Sequence, residues 1–218
     1  MTIPAELAPY LDELVEQVID ELVEQVEDVV DLEAAYVIGS AASGAFEPGR
    51  SDLDVCAVTR DALQDATKRD LVERIEALDC PARKLEFVVY SREEASGPNP
   101  RLELNLNTGE HVAFTPDTGL PEEWPCWYVL DRAAAERHAV PLVGPPWGDL
   151  FAPVTREQVL EAIEGSLEWQ EQHDPIGRSS VLNALRSWHW LETGDWVSKP
   201  EAARWLRSRV RAAVEEAS

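Results

Sequence analysis

Positive charge is what this 218-residue sequence has least of: 19 Lys and Arg stand against 42 Asp and Glu, a net charge of -23. A field of that sign repels nucleic acid phosphates and anionic membrane, so neither is expected as a partner. A cationic small molecule is drawn in by the same field, although an acidic face also serves simply to keep a chain soluble. Cysteine is scarce too. Cys56, Cys80 and Cys126 are odd in number and show no CxxC spacing, which argues against a disulfide framework or a zinc site and fits free thiols in a reducing compartment. The four histidines, at 111, 138, 173 and 189, are scattered without an HExxH-type spacing. No 18 apolar residues run together, and the N-terminal MTIPAELAPYLDELVEQ lacks a basic stretch followed by an apolar one, so a cytoplasmic protein is expected.

What is present is a change of period along the chain. Leu7, Leu11, Leu14, Val15, Val18, Leu22, Val26, Val29 and Val30 recur at helical spacing, with acidic residues between them. Ala34 to Ile38 reads as a buried strand that stops at the turn Gly39-Ser40. Leu53 to Val58 is a second strand, Ala62 to Leu78 a helix and Leu85 to Tyr90 a third strand, an arrangement whose sheet carries helices on one side. Ser96 to Glu123 is rich in turn residues, with short extended pieces at Leu102 to Leu106 and Val112 to Thr115. A helix around Trp127 to His138 follows. The segment PLVGPPWGDLFAPV after it reads as a linker. Beyond it the period is helical: Thr155 and Gln158 form a capping box, Ser179 or Ser180 caps the next helix, Gly194 ends it, and Ser198-Lys199-Pro200 opens the last. Trp188, Trp190, Trp196 and Trp205 are expected in the core of this bundle. The fold class is α+β, with a mixed-sheet domain over 1–145 and a helical domain over 146–218, as a monomer or weak dimer.

The chemistry is concentrated at Gly39-Ser40 and Ser51-Asp52-Leu53-Asp54. Aspartates at i and i+2 on a strand leave from one face with Cβ atoms roughly 6 to 7 Å apart, a span suited to sharing Mg²⁺ ions. Two like charges on one strand face are costly unless a cation neutralises them, which a divalent metal does. Small residues at Gly39-Ser40 let a triphosphate approach backbone N–H groups, with the Ser40 and Ser51 hydroxyls as further donors. A Walker-type grip is not supported, because GxxxxGK[ST] is absent. In the third strand Leu85, Phe87 and Val89 form the buried face and Glu86 lies on the other. If that strand neighbours the second, Glu86 completes a three-carboxylate cluster, as a metal ligand or as general base toward an attacking hydroxyl. Two ions about 3.5 to 4 Å apart suit phosphoryl-type transfer.

The pattern Gly39-Ser40-Ala41-x-x-Gly44 with Ser51-Asp52-Leu53-Asp54-Val55 resembles the signature of the DNA polymerase β-type nucleotidyltransferases. Farther along, Leu142-Val143-Gly144-Pro145, Leu150-Phe151-x-Pro153-Val154, Val181-Leu182-x-x-x-Arg186-x-Trp188, Thr193-Gly194 and Ser198-Lys199 resemble the streptomycin and spectinomycin adenylyltransferases. The resemblance implies transfer of AMP from ATP to a hydroxyl of an aminoglycoside-type acceptor, with two Mg²⁺ ions and an active site between a nucleotidyltransferase domain and a helical domain. It implies Asp52 and Asp54 as metal ligands, Glu86 as base, and Arg186 and Lys199 on the ATP phosphates. Streptomycin-modifying members carry a Trp after a Gly-Glu pair, whereas Gly109-Glu110 is followed here by His111; His111, Glu171 and Asp174 are the candidate acceptor contacts. A regulatory or antitoxin-like nucleotidyltransferase acting on a protein partner is the alternative, and the helical second domain argues against it. A non-catalytic nucleotide binder is a third reading, disfavoured because a binder needs no general base.

Overall fold

The computed structural model describes residues 3–15, 31–98, 100–107 and 125–217. Expected elements at 16–30 and at Val112 to Thr115 lie outside these, as does His111. The chain divides into two compact units, Met1–Glu123 with His138–Pro153, and Trp124–Arg137 with Val154–Ser218. Among the described residues no helix is long and apolar enough to cross a membrane.

The first unit is built on β1 (Leu32–Ile38), β2 (Leu53–Thr59), β3 (Leu85–Ser91), β4 (Leu104–Asn107) and β5 (Val140–Val143) in the order β4-β3-β2-β1-β5. Only β2 and β3 run parallel; the other neighbours are antiparallel. The parallel pair needs a crossover, supplied by α3 (Asp65–Glu76), which buries Leu71 and Ile75. One sheet face carries Val55, Ala57, Phe87, Val89, Leu104 and Leu106 against Leu7 in a turn and Leu11 and Leu14 of α1, described over residues 8–15. Alternation places these side chains on one side and sends Asp54 and Glu86 to the other.

That other face is not left bare. Tyr36 meets Trp147 edge-on at 5.1 Å, Tyr90 meets Phe151 at 5.4 Å, and Trp147 stacks on Phe151 at 3.8 Å. The Tyr36 hydroxyl donates to the Pro145 carbonyl at 2.7 Å. The segment expected to be a linker is therefore an edge strand, β5, followed by a single 3-10 turn (Trp147–Asp149) that covers the sheet. Gly144 makes this close approach feasible: its φ is +86°, and a Cβ there would fall 2.2 Å from the Glu33 carbonyl oxygen. The connections leaving β1 and β3 carry the short helices α2 (Gly39–Ala42) and α4 (Arg92–Ser96).

The second unit holds α5 (Pro125–His138), α6 (Arg156–His173), α7 (Arg178–Thr193) and α8 (Lys199–Glu216). Leu130, Ala133 and Ala134 of α5 pack with Val159, Ile163, Trp190 and Trp196. This burial assigns α5 to the helical unit, while Trp147 and Phe151 stay with the sheet, so the division differs from the single boundary expected after residue 145. Reciprocal capping boxes open α6 (Thr155 with Gln158) and α8 (Ser198 with Glu201). The expected cap of α7 at Ser179 or Ser180 moves to Gly177, over which the Asp174 carboxylate is folded, placing a negative group at the helix start. Gly194 ends α7 at φ +77°. Trp190 and Trp196 are buried as expected, but Trp188 is 44% exposed, its indole N–H donating to Glu192 at 2.8 Å.

Candidate active site

Three strand registers converge at one end of the sheet in the first unit. Ile38 at the end of β1 sits opposite Asp54, Asp54 opposite Glu86, and Glu86 opposite Asn107 at the end of β4. Asp54 and Glu86 are thus directly side by side on the parallel pair. Asp52 lies one residue ahead of β2, where backbone pairing still continues: the Leu53 N–H donates to the Lys84 carbonyl at 2.9 Å and the Arg83 N–H to the Ser51 carbonyl at 3.1 Å.

The glycine-serine bend is formed around Asp54. Gly39 has φ +62°, and a Cβ on it would fall 1.9 Å from Asp54 Oδ2, so the carboxylate is laid against a backbone that only glycine allows. The turn closes through the Ser43 N–H to the Gly39 carbonyl at 3.1 Å and the Ala45 N–H to the Ser40 carbonyl at 2.9 Å. Ser40 Oγ donates to the Asp52 carbonyl at 3.5 Å. Ser51 Oγ accepts from the Glu47 N–H at 3.0 Å, which ties the loop that delivers Asp52.

Sequence reasoning missed the cations of this site. Arg83 grips Asp52 with both prongs, Nε to Oδ1 at 2.8 Å and Nη2 to Oδ2 at 2.9 Å. Lys84 Nζ lies 2.5 Å from Glu86 Oε1 and 3.8 Å from Asp52 Oδ2, and donates to Asn107 Oδ1 at 3.2 Å. Burial by itself pulls the Lys84 pKa down, and the Glu86 and Asp52 carboxylates outweigh it, leaving the pKa raised and the ammonium charged. A signal was available: in a chain with 19 basic residues, two stand consecutively just ahead of the strand that carries Glu86.

Oxygen donors from two aspartates and a glutamate are the ligand type that Mg²⁺ takes, so the donor chemistry fits that ion. Among the described residues, however, no three Asp, Glu, His or Cys side chains are gathered as a ready metal centre. Asp52 and Glu86 are instead bonded to Arg83 and Lys84.

Arg186 and Lys199 belong to the second unit. Arg186 Nε donates to the Val197 carbonyl at 2.8 Å, and its guanidinium lies 5.5 Å from the Trp196 ring centre. Lys199 is the first residue of α8, following the Ser198 cap. Glu171 is exposed near the end of α6, and Asp174 is exposed beside Gly177.

Comparison with known families agrees with both units. Residues 15–108 match the nucleotidyltransferase domain model, and residues 149–217 match the model of the aminoglycoside adenylyltransferase C-terminal domain. The chain is thus similar to the aminoglycoside adenylyltransferases over both segments. Among its relatives, the aminoglycoside (3'') (9) adenylyltransferase of Klebsiella pneumoniae is 29% identical over 194 residues, spanning 83% of this chain and 73% of the relative. The spectinomycin 9-adenylyltransferase of Staphylococcus aureus is 27% identical over 180 residues, covering 78% and 68%. A solved structure of the spectinomycin adenyltransferase AAD(9) from Enterococcus faecialis, with ATP and spectinomycin, superposes with a TM-score of 0.69 at 19% identity, over 94% of this chain and 89% of that one. That likeness establishes the fold: a mixed sheet with helices, then a helical portion, as expected from the sequence. In this nucleotidyltransferase the match to the nucleotidyltransferase domain model is followed along the chain by the match to the C-terminal domain model.

Proposed function

We propose that this enzyme transfers AMP from ATP to a hydroxyl of a cationic, aminoglycoside-type small molecule. The observation that carries the reading is the register of β2 and β3, which sets Glu86 beside Asp54 next to the Gly39 bend. Asp52 and Asp54 would hold Mg²⁺, two ions in this reading, whose chemistry is to offset charge on the triphosphate and on the departing pyrophosphate. The Gly39-Ser40 backbone and the Ser40 hydroxyl donate to phosphate oxygens, while Ser51 holds the loop. Glu86 takes the proton of the acceptor hydroxyl as its oxygen forms the bond to the α-phosphorus; the bond from that phosphorus to the bridging oxygen breaks, and pyrophosphate leaves with the electron pair.

Arg186 and Lys199 are assigned to the ATP phosphates, and His111, Glu171 and Asp174 to the acceptor. Carboxylates suit amino groups on a sugar, and a net charge of -23 favours such an acceptor over nucleic acid. The test is pyrophosphate release from ATP and Mg²⁺ across streptomycin, spectinomycin and other aminoglycosides. Release with at least one of them, abolished in Asp54→Asn, is expected; undiminished turnover in that variant refutes the assignment. Transfer of label from ATP to a protein, with none to any aminoglycoside, replaces the acceptor class.

A further inference from the structure

We propose that Lys84 is a positioning residue for Glu86, a resident cation that fixes the carboxylate's orientation and sets how strongly the cluster binds divalent metal. The proposal rests on the reading of Glu86 as general base. Its geometric warrant is the convergence of oxygens from three successive strands on one nitrogen. Asp52 stands at the head of β2, Glu86 on β3 and Asn107 on β4, and Lys84 Nζ lies 3.8, 2.5 and 3.2 Å from an oxygen of each.

A lysine at an ordinary strand end extends into water, keeping its rotamer freedom and its hydration. Lys84 instead folds back across its own strand and is only 18% exposed. Residues at i and i+2 share a strand face, so Lys84 and Glu86 are set to meet, and Asn107 stands opposite Glu86 in the ladder. Lys84 is also anchored at the backbone, where its carbonyl accepts from Leu53. One carboxylate oxygen of Glu86 is thereby held, and the other is left for a proton.

A plain strand-end ion pair would leave the chemical step untouched, whereas a positioning cation moves the chemical step together with metal affinity. Lys84→Met and Lys84→Arg are compared with wild type in two measurements. The first is binding of Mn²⁺ alone to the nucleotide-free protein, read by electron paramagnetic resonance. The second is kcat and KM for ATP in pyrophosphate release with the acceptor found by screening. Removing a like charge within a few ångströms of the carboxylates is expected to tighten Mn²⁺ binding about ten-fold in Lys84→Met. The kcat is expected to fall about ten-fold with KM for ATP within about two-fold, since a freely rotating Glu86 loses alignment and nucleotide contacts do not change. Lys84→Arg, which restores charge, returns Mn²⁺ affinity toward wild type. Mn²⁺ affinity or kcat of Lys84→Met within about two-fold of wild type overturns the proposal. Should Lys84→Met fail to fold, Asn107→Ala serves instead: a lowered kcat with unchanged Mn²⁺ affinity supports the clasp, and an unchanged kcat overturns it. Glu86→Gln separates the two ideas. Full turnover in that variant removes the general base, while the Mn²⁺ shift still reports whether Lys84 acts on the cluster.

Discussion

Replacing Gly39 by alanine tests the site at its tightest point. Two penalties follow from the geometry. Alanine at φ +62° sits in the left-handed region, costing about 1 to 2 kcal/mol. The new methyl would also lie 1.9 Å from Asp54 Oδ2 and 2.7 Å from its Cγ. Ordinary contact needs about 3.5 Å, so the carboxylate must retreat by about 1.5 Å. A misplacement of that size costs about 100-fold in rate. Gly49→Ala isolates the first penalty, because Gly49 has φ +70° with nothing within 4 Å of its notional Cβ. Both variants are expected to lose a few degrees in Tm, and Gly39→Ala alone to lose turnover in pyrophosphate release. If Gly39→Ala keeps turnover within about three-fold of Gly49→Ala, Asp54 does not act where the bend holds it.

Trp190→Ala is expected to cost about 3 to 5 kcal/mol in denaturant unfolding, because Trp190 is buried against Trp196, with Arg156 5.0 Å from its ring centre. Trp188→Ala, at a 44% exposed position, is expected to cost about 1 kcal/mol or less; equal losses would contradict the packing. Raising ionic strength from about 0.01 to 0.15 M shortens the screening length from about 30 to 8 Å. With a net charge of -23, KM for a cationic acceptor should rise several-fold while KM for ATP stays level or falls, and a parallel rise in both would refute electrostatic recruitment of the acceptor.

Elements whose signal is local were legible in the sequence. The Thr155 and Ser198 caps and the Gly194 stop each depend on a few contiguous residues, and each stands where the pattern puts it. So does the alternation that places Glu86 on the face opposite Phe87. The failures involve partners distant in sequence. Val140–Val143 is a strand only because Val37 and its neighbours offer an edge about a hundred residues earlier, and Pro141 and Gly144 look like a linker without that edge. Trp188 faces outward because α7 already buries Trp190, and a helix in a small bundle has one inner stripe. The α7 cap falls at Gly177 rather than at Ser179 or Ser180, with the Asp174 carboxylate lying against that glycine from the preceding loop. At the site, the acids carried a familiar spacing, whereas Arg83 and Lys84 gain meaning only once β3 is paired beside β2.

That pairing creates an electrostatic problem which the same segment answers. Side-by-side carboxylates destabilise a sheet, and a surrounding charge of -23 makes each harder to tolerate. Distant cations offer little through water, since the attraction decays within a screening length. Counter-charge must therefore be local, and the residues nearest in the fold are those just ahead of β3, where parallel pairing brings 83 and 84 alongside 51 to 53. Arg83 answers Asp52 with a planar fork, and Lys84, a compact ammonium, answers Glu86. The difference has a chemical consequence. A fork bonded to both oxygens of a carboxylate fixes its plane, whereas a single ammonium on one oxygen leaves the other accessible to a proton. The division of cations thus parallels the division of proposed labour, with Asp52 held as a rigid ligand and Glu86 held as an oriented base.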